Sequence, residues 1–288
     1  MPAQGKRRAL GQHFLKDQAL ANAIAERGVK EAVESGCKSL LEIGPGRGAI
    51  TLPLCEQLKN QTSISNFQLI EKDDQLALKW LERSKQNDQN TGPSFSVRVG
   101  DFLEIPESEW LGHAHLPLAV VSNLPYSSGT AILNRLARHT ESIPVMVLMF
   151  QAEVAKRLRA EPSTKERGSL SIWVQNLWDV EKLLSVPPHA FAPPPEVNSE
   201  VVILKRRAQP RIPQTTGPED EVIWESFLKV CFAHRRKMLR SSIPWRNALE
   251  LSGVDGTKRA EALQWQEWER LFQAVRQIIQ SNKSADRV

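Results

Sequence analysis

The chain has 288 residues, 41% of them hydrophobic, a net charge of +5 and a pI of about 9.2. That is enough chain to bury a large core, one big domain plus a smaller one, with a modest basic excess that matters only if it is localised. Cys37, Cys55 and Cys231 form no C-x-x-C pair, which argues against structural zinc and for a reduced compartment. Apolar runs such as Val145 to Phe150 are too short to cross a bilayer, and the basic N-terminus has no apolar region behind it to make a secretory signal. The reading is a soluble, cytoplasmic protein without a membrane association.

In chain order, Lys6-Arg7-Arg8 precede Gly11-Gln12-His13-Phe14-Leu15 and a helical pattern from Ala19 to Val29. A short apolar strand beginning at Ser39 (Leu40, Leu41, Ile43) runs directly into Gly44-Pro45-Gly46-Arg47-Gly48. A helical pattern follows at Ala49, Leu52, Leu54 and Leu58. Strand, glycine turn and helix make the first βα unit of a nucleotide-binding α/β domain. Glycines suit a turn that needs positive φ and leaves no room for a Cβ beside a ligand. Read alone, the turn also fits a tight connection that binds nothing, and its G-x-G-x-G spacing differs from the dinucleotide fingerprint.

A polar loop, Lys59 to Asn66, leads to a second strand, Phe67 to Ile70, that ends on Glu71. That acid lies about 20 residues past the glycines, where such folds place a carboxylate for the hydroxyls of a ribose. A helix around Leu76, Trp80 and Leu81 and a polar loop, Ser84 to Ser94, come next. Three further strands follow: Phe95 to Val99 ending on Gly100-Asp101, Leu118 to Ser122 ending on Asn123-Leu124-Pro125-Tyr126, and Val145 to Phe150. This is a Rossmann-like βαβ series with polar residues at the carboxyl ends of the strands, where open parallel sheets bind ligands. Singly, Glu71 and Asp101 could each be a helix cap. Together they describe one cleft, Glu71 for a ribose and Asp101 for an adenine amine, so the cofactor is read as an adenosine derivative.

Asn123-Leu124-Pro125-Tyr126 carries the most chemistry. The exocyclic amine of adenine is a poor nucleophile because its lone pair is delocalised into the ring. Two acceptors for its N–H groups, the Asn123 side-chain oxygen and the Leu124 carbonyl, would draw it towards tetrahedral geometry. Pro125 biases Leu124 to an extended conformation that keeps its carbonyl out of a helix ladder. Tyr126, the one tyrosine of the chain, can stack on a base. The plain alternative is a turn before a helix starting near Thr130. Phe191, in the proline-rich loop Pro187 to Pro195, reads either as a stacking platform or as a core residue anchoring the loop.

Past Leu204, a linker to Pro218 gives way to helical patterns at Val222 to Phe232, Arg236 to Ile243 and Trp265 to Ile279. The division expected is residues 1–207 as a catalytic domain and 208–288 as a small helical domain. Arg235, Arg236, Lys237 and Arg240 form a basic cluster that in isolation reads as a solvated face and beside an RNA-modifying cleft as a phosphate-contacting patch. The tryptophans here read as core. His113 and His115 lack cysteines or acids at ligand spacing, so no metal site is assigned.

The motifs GQHFLKD, LEIGPGRGAIT, IEKD, GDFL, NLPY and FAPPPEVNSEVV, in that order, resemble those of the ribosomal RNA adenine N6,N6-dimethyltransferases. RRKMLRSSI and GVDGTKRAEAL resemble the carboxyl-terminal part of the bacterial small-subunit branch. The resemblance runs from Gly11 to Leu263. It implies a Rossmann-like S-adenosylmethionine-dependent methyltransferase domain with a small helical domain. The substrate implied is two adjacent adenosines near the 3′ end of 16S rRNA in an immature small ribosomal subunit, and the enzyme would act as a monomer in ribosome biogenesis. It implies the methionine end of the cofactor near His13, Leu15 and Gly44 beside Gly46, the ribose on Glu71, the adenine on Asp101, and Asn123 at the reacting centre. The target base would lie between Tyr126 and Phe191. Two positions depart from the family pattern, Arg167 for a tyrosine and Glu196 for a lysine; the second puts a phosphate contact there in doubt. A 23S rRNA methyltransferase shares the cleft motifs without the C-terminal ones. DNA adenine methyltransferases usually have Asp where Asn123 stands, and an NAD oxidoreductase would leave NLPY unexplained. A ribosome assembly factor that has lost catalysis is the alternative of a different class, against which the intact cleft residues count.

Overall fold

The computed structural model describes residues 13–59, 61–86, 95–213 and 218–285; Lys6-Arg7-Arg8, Gly11, Gln12, most of the Ser84–Ser94 loop and part of the 205–218 linker lie outside them. Elements alternate along the chain: β1 (Phe14–Leu15), α1 (Gln18–Glu34), β2 (Ser39–Ile43), α2 (Thr51–Leu58), β3 (Asn66–Glu71), α3 (Asp74–Gln86), β4 (Phe95–Val99), α4 (Glu107–Trp110), β5 (Leu118–Asn123), α5 (Gly129–Leu136) and β6 (Val145–Gln151). Then come α6 (Ala152–Leu158), α7 (Ser169–Leu177), β7 (Trp178–Val186), β8 (Phe191–Ala192) and β9 (Ser199–Arg206). Four helices close the chain: α8 (Pro218–Ala233), α9 (Leu239–Ser242), α10 (Arg246–Ser252) and α11 (Trp265–Ala285).

By packing, residues up to Ala155 group with Val180–Arg206, and Lys156–Asp179 group with the chain from Arg207 onward. The sequence reading put Lys156–Asp179 in the first domain; the structure differs there. Helix α7 packs on α8, and the Ile212 N–H donates to the Asn176 side chain (2.8 Å) in a buried contact.

In the first unit a seven-stranded sheet has the order β4-β3-β2-β5-β6-β9-β7. Its first five strands are parallel, and β9 runs antiparallel to β6. Strand β2 is buried throughout, as expected of a parallel strand covered on both faces, hence its near-continuous apolar run. The chain order reverses between β2 and β5, the switch point where such sheets hold ligands. Strand β2 pairs with β3 over five residues but with β5 over only three, Ser39↔Leu118 to Leu41↔Val120. Beyond Leu41 the two strands part, and the Ser122 hydroxyl, donating to the Ile43 carbonyl (2.5 Å), bridges the opening.

The second unit is helical around Trp224, Phe227, Trp268 and Phe272, all fully buried with ring centroids 5.0 to 6.3 Å apart. Of the helix expected over 236–243 only Leu239–Ser242 is helical; the basic residues before it lie in a turn. Arg167 is wholly buried here, donating to the Leu263 carbonyl (2.7 Å), and burial lowers its pKa to about 10. The departure at that position is thus a structural anchor, whereas Glu196 is exposed. Among the described residues no helix is long and apolar enough to cross a membrane, and no group of His, Cys, Asp and Glu could hold a metal ion.

Candidate active site

The glycine turn follows β2 with Gly44, Gly46 and Gly48 all at positive φ (71°, 55° and 89°). Two of them are also hemmed in. A Cβ on Gly46 would stand 3.2 Å from the Phe14 ring, and one on Gly48 would stand 2.7 Å from Trp80. The Gly46 peptide is held at both ends: its N–H donates to Glu71 Oε2 (2.9 Å), and its carbonyl accepts from Trp80 Nε1 (3.0 Å). Trp80 therefore shapes the turn, a role that reading it as one more apolar helix residue missed.

Glu71, at the end of β3, is 4% exposed. Its Oε1 accepts the Asp73 N–H (2.9 Å), so each carboxylate oxygen already takes one backbone amide and keeps a lone pair for a ligand. Burial raises its pKa, and the amide hydrogen bonds temper the rise. Asp101 stands one strand over, past Gly100. Its Oδ2 pairs with Lys72 (2.6 Å) and its Oδ1 accepts the Leu103 N–H (2.9 Å). Burial opposes ionisation of Asp101, but the Lys72 and Leu103 hydrogen bonds and the charges of Lys72 and Arg135 outweigh it and lower the pKa. An adenine amine at Asp101 would share the carboxylate with Lys72.

Across the opening, Asn123 ends β5. Its side-chain amide makes no hydrogen bond among the described residues. The Leu124 carbonyl likewise accepts none, because the next helix takes its first bonds from Pro125, whose carbonyl receives the Ser128 and Gly129 N–H groups (3.2 and 2.8 Å). Tyr126 is tethered by its hydroxyl to the Ser199 hydroxyl at the start of β9, and its ring centroid lies 5.5 Å from that of His13. One cleft is lined by His13, Leu15, Gly44, Gly46, Glu71 and the four residues Asn123 to Tyr126.

The segment carrying His13 arrives there through a small antiparallel ladder between β1 and β8, with Phe14 opposite Ala192 and Leu15 opposite Phe191. His13 Nδ1 also contacts the Pro193 carbonyl (2.9 Å). This pairing corrects the reading of Phe191 as a platform. Its side chain is 1% exposed, packed into the core among Leu15, Ala190 and Val201, and offers no open ring face. The loop-anchoring alternative describes it.

The basic cluster divides in the same way. Arg236, Lys237 and Arg240 are exposed. Arg235 Nη2 instead donates to the carbonyls of Lys165 (2.6 Å) and Arg167 (2.9 Å) and faces Glu261, so it ties the second unit together and is not a free cation.

One lining residue escaped the sequence reading: Glu42, 2% exposed and next to last in β2. A carboxylic acid inside an apolar strand run was the available signal. The cleft suits S-adenosylmethionine by what it contains: a turn too tight for side chains, a buried carboxylate with spare lone pairs, and a second buried carboxylate whose Oε2 has no partner among the described residues.

Comparison with known proteins agrees. The family described as ribosomal RNA adenine dimethylase matches residues 3–277. Ribosomal RNA small subunit methyltransferase A of Leptothrix cholodnii is 34% identical over 273 residues, 94% of this chain and 92% of that protein. The protein of that name from Geobacter sulfurreducens is 35% identical, over 93% of this chain and 95% of its own. Among solved structures, a dimethyladenosine transferase from Plasmodium falciparum superposes with a TM-score of 0.70 at 22% identity, covering 90% of this chain and 96% of that one, a likeness of fold. The 23S rRNA methyltransferase ErmE gives 0.61 at 25% identity, covering 91% and 98%. A family match over residues 3–277, a Rossmann-like sheet and a cleft at its switch point make the chain an S-adenosylmethionine-dependent methyltransferase that belongs to the ribosomal RNA adenine dimethylase family.

Proposed function

We propose that the chain dimethylates N6 of two adjacent adenosines near the 3′ end of 16S rRNA, acting as a cytoplasmic monomer on an immature small ribosomal subunit. The observation that carries the proposal is the pair of unengaged acceptors, the Asn123 side-chain oxygen and the Leu124 carbonyl, beside the glycine turn. S-adenosylmethionine supplies a methyl group already activated on a sulfonium. Asn123 and Leu124 accept the two N–H groups of the target amine and orient its lone pair along the transfer axis. Tyr126, fixed by Ser199, stacks on the base. His13, Leu15, Gly44 and Gly46 line the methionine end, Glu71 accepts the ribose hydroxyls and Asp101 the cofactor adenine. The small-subunit choice is supported by the relatives' names and by the RRKMLRSSI and GVDGTKRAEAL segments.

The test is methyl transfer from labelled cofactor to purified small ribosomal particles lacking the modification, with the modified bases mapped. Dimethyladenosine at two adjacent positions near the 3′ end of 16S rRNA is expected. Transfer only to 23S rRNA, or none, would refute the assignment.

Docking separates from chemistry in the exposed cluster. Replacing Arg236, Lys237 and Arg240 together with alanine is expected to weaken particle binding and to lower the magnitude of the salt slope by about 0.7–0.9 for each lost phosphate contact. Cofactor affinity should not change. If filter binding across a salt series gave the same slope as the parent, the cluster would be a solvated face only.

A further inference from the structure

Asp101 is placed by its loop, and one end of that loop cannot hold itself. After β4 the chain makes a tight turn in which the Glu104 and Ile105 N–H groups donate to the Asp101 carbonyl (2.9 and 3.0 Å). At the start of the turn the Gly100 N–H donates to the Glu71 carbonyl (2.9 Å), so β3 fixes the loop there. At its far end the turn runs into Pro106, which has no N–H to offer the Phe102 carbonyl four residues back. The Ile105 carbonyl is passed over as well, because the Glu109 N–H donates to Pro106 (3.0 Å). Carbonyls left over in this way need a donor from elsewhere.

Arg135 supplies it. It stands in the last turn of α5, the helix that begins just past Tyr126. Its Nη1 donates to the Phe102 carbonyl and its Nη2 to the Ile105 carbonyl. The guanidinium lies over the Phe102 ring (5.1 Å) and near the Trp110 ring (6.0 Å), both side chains being buried. One planar fork thus holds two carbonyls and packs on two rings, a combination an ammonium does not offer. Burial works against ionisation of Asp101, and the charge of Arg135 joins the hydrogen bonds and charge of Lys72 in overcoming it. In sequence Arg135 is an ordinary basic residue near a helix end.

Resting on the assignment of Asp101 to the cofactor adenine, we propose that Arg135 is a positioning residue for cofactor recognition. By clamping the turn after Asp101, it holds the carboxylate where the exocyclic amine of the adenine meets it. The helix that carries the clamp follows directly from Asn123 to Tyr126. The adenine end of the cleft is therefore tied to the segment that receives the target base.

The expected effects separate positioning from mere fastening of the fold. Arg135→Met keeps an unbranched apolar stem against Phe102 and Trp110 and removes the donors. It is expected to weaken S-adenosylmethionine binding by about tenfold, the scale of one hydrogen bond lost when its acceptor drifts. In methyl transfer to small ribosomal particles the loss should fall on KM for the cofactor, with kcat at saturating cofactor near wild type. The sharper readout is a cofactor with hydrogen in place of the adenine amino group. Wild type should bind it more weakly than the natural donor. Arg135→Met should bind the two almost alike, because a misplaced Asp101 has no amine contact left to lose. Arg135→Lys, able to reach one carbonyl, should recover part of the discrimination.

Calorimetry of the three proteins with both cofactors, beside a melting curve for each, decides it. Full wild-type discrimination by Arg135→Met would overturn the proposal whatever its melting temperature, and leave Arg135 a fastening of the loop. Should Arg135→Met fail to fold, undiminished discrimination with an unchanged KM in Arg135→Lys would overturn it equally. No discrimination by the wild type would instead refute the assignment of Asp101 to the adenine, and this inference with it.

Discussion

Asn123→Ala is expected to cut turnover by on the order of 10²-fold or more while leaving cofactor and RNA binding close to wild type. The loss is specific to chemistry because the Asn123 amide supports nothing else: it ends β5 without a side-chain hydrogen bond among the described residues. Removing it therefore disturbs no internal network, whereas Ser122 one residue earlier holds β5 to the Ile43 carbonyl. The Leu124 carbonyl remains in the variant and can still accept one N–H, so residual transfer is expected. Asn123→Asp restores an acceptor but adds charge. It is expected to complete the first methylation and stall at the monomethyl product, since a carboxylate favours retention of the remaining N–H. Mass spectrometry of nucleosides from treated particles separates the products. Near-normal dimethyladenosine from the alanine variant would remove Asn123 from the reacting centre.

How far the sequence revealed this protein depended on what each residue's environment does to its pattern. Strands covered on both faces are mostly apolar, so Leu40 to Ile43 (Glu42 apart), Leu118 to Val121 and Val145 to Phe150 were plain, and so were the polar residues at their carboxyl ends. The two-residue strands β1 and β8 are too short to show a period. Their pairing joins positions far apart in the chain, and it decides that Phe191 faces Leu15 and the core. An aromatic between prolines looks the same as a platform or as a plug. Charge is visible in sequence but its partners are not. Arg235 reads like Arg236, yet its guanidinium is spent on the Lys165 and Arg167 carbonyls. Lys156–Asp179 precedes the last strands of the sheet but packs in the helical unit, a return of the chain that no local signal records. Trp80 and Glu42 were hidden for opposite reasons: the tryptophan fits an ordinary amphipathic helix, and the glutamate sits in a strand read for its apolar members.

Glu71→Ala is expected to lower S-adenosylmethionine affinity by on the order of 10²-fold, the scale of losing two hydrogen bonds to a charged acceptor, with the fold intact. The structure adds a second route to the same loss. Glu71 Oε2 holds the Gly46 N–H and Oε1 holds that of Asp73, so the substitution frees the glycine turn as well as removing the ribose acceptor. Trp80→Phe separates the two. It deletes the Nε1 donor to the Gly46 carbonyl, leaves the Glu71 carboxylate in place, and loosens the same peptide from its other end. If Glu71 acted only by fixing the turn, the two variants would weaken binding alike. With the ribose contact included, Trp80→Phe should cost no more than about tenfold, the usual scale for one neutral hydrogen bond. Adenosine analogues sharpen the comparison. A 2′-deoxy cofactor should bind wild type and Trp80→Phe much more weakly than the natural one, and Glu71→Ala nearly as well as the natural one, because the partner of the missing hydroxyl is already gone. Calorimetry of the three proteins with both cofactors decides it. Equal discrimination against the 2′-deoxy compound by Glu71→Ala and wild type would take the ribose away from Glu71 and leave it the glycine turn alone.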